Sequence, residues 1–154
     1  MKYAYTHANL WDGRQDAALR EDVTVLTDGG TITAVLERGA RTPLGYRKVD
    51  LKGKYLMPGL VNLHAHLFGT GKPSKVLGGG GAQKAIIAFA GSKAGRPVID
   101  SMVRSHVTAS LHAGVTTIRS SGDFFYSDVR IRDRINAGKL TGPRLIVPLS
   151  LIHI

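Results

Sequence analysis

Over residues 1 to 56 hydrophobic and polar positions alternate in short runs, and beyond them the period changes. Tyr3 to Asn9 predicts a strand, and Trp11-Asp12-Gly13 a turn after it. Val23-Thr-Val-Leu-Thr and Thr31-Ile-Thr-Ala-Val-Leu are β-branched, half-buried patterns. Between them Asp28-Gly29-Gly30 predicts a tight hairpin, because glycine tolerates positive φ. A shorter strand is expected over Arg47 to Val49, and Leu51-Lys-Gly-Lys54 turns the chain towards Tyr55. After the break at Pro58-Gly59, Leu60 to Leu63 is apolar with little alternation, the pattern of a strand buried on both faces of a parallel sheet.

Phe68 to Arg96 is rich in Gly and Lys and predicts mostly loop, with one helical turn near Ala85 to Phe89. Pro97 to Ala113 predicts a helix: proline suits the first turn, Ile99, Val103, Val107 and Leu111 form a stripe at i+4 spacing, and Gly114 suits the C-terminal cap. Val115-Thr-Thr-Ile-Arg119 predicts a strand, Ser120-Ser121-Gly122-Asp123 the loop after it, about Asp128 to Ala137 a second helix, and Arg144 to Val147 another strand. From residue 57 the order is β, loop, α, β, α, β, which implies parallel strands with crossover helices.

The strand that begins at Leu60 runs into His64-Ala65-His66. Side chains at i and i+2 share a face of a strand, so the two imidazoles would stand side by side at its C-terminal end. Neutral imidazoles held in that way chelate a borderline-soft divalent cation such as zinc. The chain has no cysteine, so thiolate sites and disulfides are excluded. A catalytic zinc usually takes three protein ligands, and the other histidines do not supply the third. His106 and His112 are six apart on one predicted helix and do not share a chelating face, so each reads as a surface or helix-end histidine, and His7, in the N-terminal β-region, reads likewise as no ligand. Asp123 follows a predicted strand and is a candidate for the substrate side of a site, with a loop or capping role as the simpler reading. Gly69-Thr-Gly-Lys72 lacks phosphate-loop spacing, and the glycines 78–81 read as loop.

The 154 residues suffice for about one domain, and with 43% hydrophobic and 21% charged residues a packed core is expected. Neither a signal-peptide pattern nor a membrane-length apolar run is present, so a cytoplasmic location is expected. The formal net charge of +10 raises an alternative, a module binding nucleic acid or an anionic surface through Lys72 to Arg96. That stretch contains only Phe89 as an aromatic, which disfavours a nucleic-acid partner. The simpler reading is charge distributed unevenly along a longer parent chain.

Four segments carry a family resemblance: Asp12-Gly13, Asp50 through His66, Gly114-Val-Thr-Thr-Ile-Arg119, and Ile131 through Arg144. Through them the chain resembles the amidohydrolase superfamily, most closely its Xaa-Pro dipeptidase-like and imidazolonepropionase-like members. The resemblance implies an α/β fold in which a small N-terminal β-sandwich portion (1–56) precedes the first βα units of a (β/α)8 TIM barrel (57–147). It implies that His64 and His66 bind one metal of a site with one or two ions, zinc first among them, and that a metal-activated water attacks an amide, dipeptide or cyclic amide C–N bond. A small-molecule or dipeptide substrate is implied, with neither nucleic acid nor membrane as partner; a homo-oligomeric parent is compatible with this.

The remaining ligands of such a site would come from strands four to eight. A full barrel needs about 250 residues, and the residues after Leu56 accommodate about three of its strands. The chain is thus expected to be an N-terminal fragment, inactive alone. The last residues, 148–154, read as a non-native tail, and His153 is given no role. Phe68 stands where dihydroorotase-like members carry arginine, and Ser120-Ser121 stand where an aspartate-containing loop is expected.

Overall fold

The computed structural model describes residues 1–69 and 81–148. The chain divides into two compact units, Met1–Pro58 and Gly59–Ile154.

The first unit is a five-stranded sheet built from β1 (Lys2–Leu10), β2 (Arg20–Asp28), β3 (Thr31–Leu36), β4 (Arg47–Asp50) and β5 (Tyr55–Leu56). The order is β3-β2-β1-β4, with β5 pairing with β1 as well. The β2–β3 hairpin closes through Gly29 at φ +60°, as the glycine pair implies. Between Tyr5 and Ala8 the β1–β2 register slips, and His7 sits there at φ +52°. Ala8, Val23 and Val25 form the core of the unit, with Tyr5, Leu10, Val35, Leu51 and Leu56 packed against them. Among the described residues this unit forms one sheet, a single layer rather than the two of a sandwich.

The second unit is a three-stranded parallel sheet, β6 (Leu60–Ala65), β7 (Val115–Ser120) and β8 (Arg144–Ile146), in that order. Helices α1 (Gly81–Gly91) and α2 (Gly95–His112) lie between β6 and β7, and α3 (Ser127–Asn136) lies between β7 and β8. Val103 and Val107 of the predicted stripe are fully buried with Leu67, Ile118, Ile131 and Leu145, and Ile99 packs at the margin. Parallel strands need crossovers that cover a face of the sheet, and the α2 and α3 stripes supply that cover.

Two expectations fail. The stretch read as mostly loop contains the eleven-residue helix α1. Its alanine-rich sequence favours helix, and the glycines before it obscured this. Glycine 81 begins that helix, glycines 78–80 and Gly69-Thr-Gly-Lys72 beyond Gly69 lie outside the described residues, and so does His153. The second failure concerns β6, which was expected to be buried on both faces. Among the described residues it is an edge strand, with Leu60 48%, Val61 57% and Leu63 69% exposed. An apolar run reports that a strand is made to be covered; it does not report that the cover lies within the same 154 residues.

Candidate metal site

The site is assembled where β6 ends beside the loop that leaves β7. Ala65 packs against the helix-covered core, so alternation turns His64 to the opposite face. The His64 N–H donates to Asn62 Oδ1 at 3.1 Å, and its ring is exposed. Immediately after the strand, the Ser121 N–H donates to the Ala65 carbonyl at 2.7 Å, extending the β6–β7 pairing into both loops. His66 Nδ1 lies 2.9 Å from the Gly122 carbonyl. A carbonyl oxygen only accepts, so the proton is on Nδ1 and, in the neutral ring, the lone pair is on Nε2. Gly122 presents that carbonyl from φ +95°, a conformation that suits glycine.

The His64 and His66 rings stand edge to face, 80° apart, with centroids 5.3 Å apart. Two imidazoles on one tetrahedral ion, at Zn–N distances of about 2.0–2.1 Å, have ring centres roughly 5 Å apart. The spacing, the donor type and the free Nε2 of His66 therefore fit a shared divalent cation. Among the described residues no group of three His, Asp, Glu or Cys is placed to hold an ion, so the pair is not completed there.

Next to His66 is a cavity of about 710 Å³, walled by Phe68, Phe124, Phe125 and Tyr126, with His66 and Asp123 at its polar side. Phe68 and Phe124 meet edge to face at 4.5 Å. Phe125 and Tyr126, in the short 3₁₀ turn Phe124–Tyr126, are both left-handed, at φ +53° and +57°. Arg130 holds this turn by donating from Nη1 to the Phe125 carbonyl, while its Nε and Nη2 form a bidentate pair with Asp100 of α2.

Asp123 Oδ1 accepts the Phe68 N–H at 3.1 Å, whereas Oδ2 is buried without a partner. Burial pushes its carboxyl up to about 6, with the Asp128 charge adding to the rise and the Phe68 amide opposing it. Asp128 is itself buried; its Oδ2 accepts the Ser120 hydroxyl at 2.6 Å and its Oδ1 accepts the Val129 N–H at 2.9 Å.

The geometry thus brings His64, His66 and Asp123 into one neighbourhood. His7 is elsewhere, in the first unit, with Nδ1 2.9 Å from Asp50 Oδ1. His112 is exposed in the last turn of α2. His106 has a partner that the sequence did not reveal: its Nδ1 lies 2.7 Å from the Leu67 carbonyl, 39 positions away. Neither that contact nor the Gly122 carbonyl has a signal in local spacing, since both depend on where β6, α2 and the β7 loop converge.

Residues 47–118 match the model of the amidohydrolase family. No curated protein matches the chain at a significant level. Among solved structures it is similar to a candidate prolidase from Bifidobacterium longum, with 28% identity, 99% of this chain and 32% of that one covered, and a TM-score of 0.69. It is also similar to molinate hydrolase, at 25% identity, 99% and 31% coverage and a TM-score of 0.74. A Xaa-Pro dipeptidase with bound methionine shares the fold at 23% identity, 96% and 33% coverage and a TM-score of 0.72. The chain thus spans about a third of the length of these structures. With its mixed α/β architecture, its match over residues 47–118 and these likenesses, the chain is similar to the amidohydrolase superfamily.

Proposed function

We propose that this chain is the N-terminal portion of a metal-dependent amidohydrolase that hydrolyses a C–N bond in a dipeptide, amide or cyclic amide. The observation that carries the reading is the His64/His66 pair, 5.3 Å between ring centroids at the C-terminal end of a parallel strand and within the matched region. His64 and His66 would hold the ion, zinc by the chemistry of the donors, with one or two ions in the complete site. Bound there, a divalent cation lowers the pKa of a water and polarises a carbonyl.

The chain's own part is to orient and to enclose. The Gly122 carbonyl fixes the His66 ring, and aromatic side chains line the cavity next to it. Asp123 stands on the substrate side of that cavity. In this reading β6–β8 begin a (β/α)8 barrel, and residues 1–56 are one portion of a β-sandwich domain. The parent acts in the cytoplasm on a small molecule or dipeptide, a substrate class supported by the names prolidase and Xaa-Pro dipeptidase among the likenesses.

The test is hydrolysis of a dipeptide and amide panel by the full-length protein. Activity should disappear with a chelator and return with Zn²⁺, and His64→Ala or His66→Ala should abolish stoichiometric zinc binding. Chelator-resistant turnover would refute the metal reading. The 154-residue chain alone should show no turnover, and metal-dependent hydrolysis by it would refute the fragment reading.

A further inference from the structure

We propose that His106, in the middle of α2, is a positioning residue for the metal site, acting through the turn that follows His66. The inference rests on the metal reading of His64 and His66.

Three contacts fix this turn, from a loop and a helix. The Gly122 carbonyl takes the His66 ring at 2.9 Å, Asp123 Oδ1 takes the Phe68 N–H at 3.1 Å, and His106 Nδ1 lies 2.7 Å from the Leu67 carbonyl. The first two come from one loop, after β7. His106 ties the turn to a helix by a hydrogen bond, and that helix is anchored by Val103 and Val107, fully buried on either side of His106. Leu67, whose carbonyl is held, is itself 5% exposed in the same core. The main chain of residues 66–68 is therefore held on one side by a rigid element and on the other by a loop containing left-handed residues.

Since the Leu67 carbonyl can only accept, His106 donates from Nδ1. This gives the role a chemical signature. An asparagine amide can occupy the place of Nδ1 and donate; glutamine places its amide nearer the position of Nε2, and leucine fills the space without donating. A purely space-filling histidine would be replaced best by leucine or glutamine. A donor at Nδ1 would be replaced best by asparagine.

The experiment compares His106→Asn, His106→Gln and His106→Leu in the full-length protein. Two readouts are used: zinc affinity by competition with a chromophoric chelator, and hydrogen exchange at the Phe68 amide in the metal-free protein. The Gln and Leu variants should bind zinc about tenfold or more weakly, the range seen when the support of a ligand is removed, and should exchange Phe68 faster. The Asn variant should retain both properties. Wild-type affinity and exchange in all three variants would overturn the proposal, as would an Asn variant no better than Leu. If wild-type protein binds no zinc, the function proposed above fails. The exchange readout then decides the clamp alone: faster Phe68 exchange in the Leu variant upholds it and unchanged exchange overturns it.

Discussion

Asp123 shows how one side chain can cost stability at the pH where a site works. Its carboxyl is pushed up to about 6 in the folded chain, because burial disfavours the charge, from 3.8 for a free aspartate side chain. The folded state therefore holds the proton more tightly than the unfolded state. The contribution of Asp123 to stability is fully present below pH 3.8 and is lost as pH rises through about 6. Asp123→Asn should retain the acceptor for the Phe68 amide and remove this titration. Thermal melts of the metal-free protein between pH 4 and 7 should show a decline with pH in wild type that is smaller in the variant. Equal declines would contradict the assignment. At Gly122 the constraint is conformational. At φ +95° a Cβ is strained, so Gly122→Ala should cost about 1–2 kcal/mol in a denaturant titration, and zinc affinity should fall because the His66 ring loses its aligned acceptor.

Between elements, the bidentate Arg130–Asp100 pair joins α3 to α2 and also secures the left-handed turn beside the cavity. Both side chains are partly buried, so the pair resists solvent screening better than a surface ion pair. Arg130→Ala should destabilise the unit by about 1.5–3 kcal/mol in urea unfolding, as expected for hydrogen bonds to a charged group. Arg130→Lys should recover little of that, because lysine lacks the planar fork. Neither residue stands out in the sequence, since their relation arises only once α2 and α3 pack together. Elements with a strong local period were legible: the β2–β3 hairpin, the Val103–Val107 stripe and the Gly114 cap after α2. Helix α1 was not, because glycines before it mask an alanine-rich start, and the exposure of β6 was not, because a run of apolar residues carries no record of what covers it. For the site, the spacing of His64 and His66 was legible. The supports of His66 were not, being a backbone carbonyl and a helix residue far along the chain.

On the scale of the whole molecule, β6 and β8 are the open edges of their sheet among the described residues, and β6 exposes Leu60, Val61 and Leu63 together. Unpaired apolar edges recruit other chains. The 154-residue chain by itself should therefore self-associate, and Val61→Lys with Leu63→Lys should raise the concentration at which light scattering begins. A wild-type monomer with a sharp cooperative melt would contradict this. The first unit poses a different problem, one of timing. Its central strand, β1, finds its partners in Arg20–Asp28, Arg47–Asp50 and Tyr55–Leu56. At the ~5–20 residues per second of synthesis, β1 leaves the ribosome roughly two to ten seconds before its last partner. The central strand of the sheet is thus complete only when its last partner has emerged, several seconds after its pairing with β2 becomes possible.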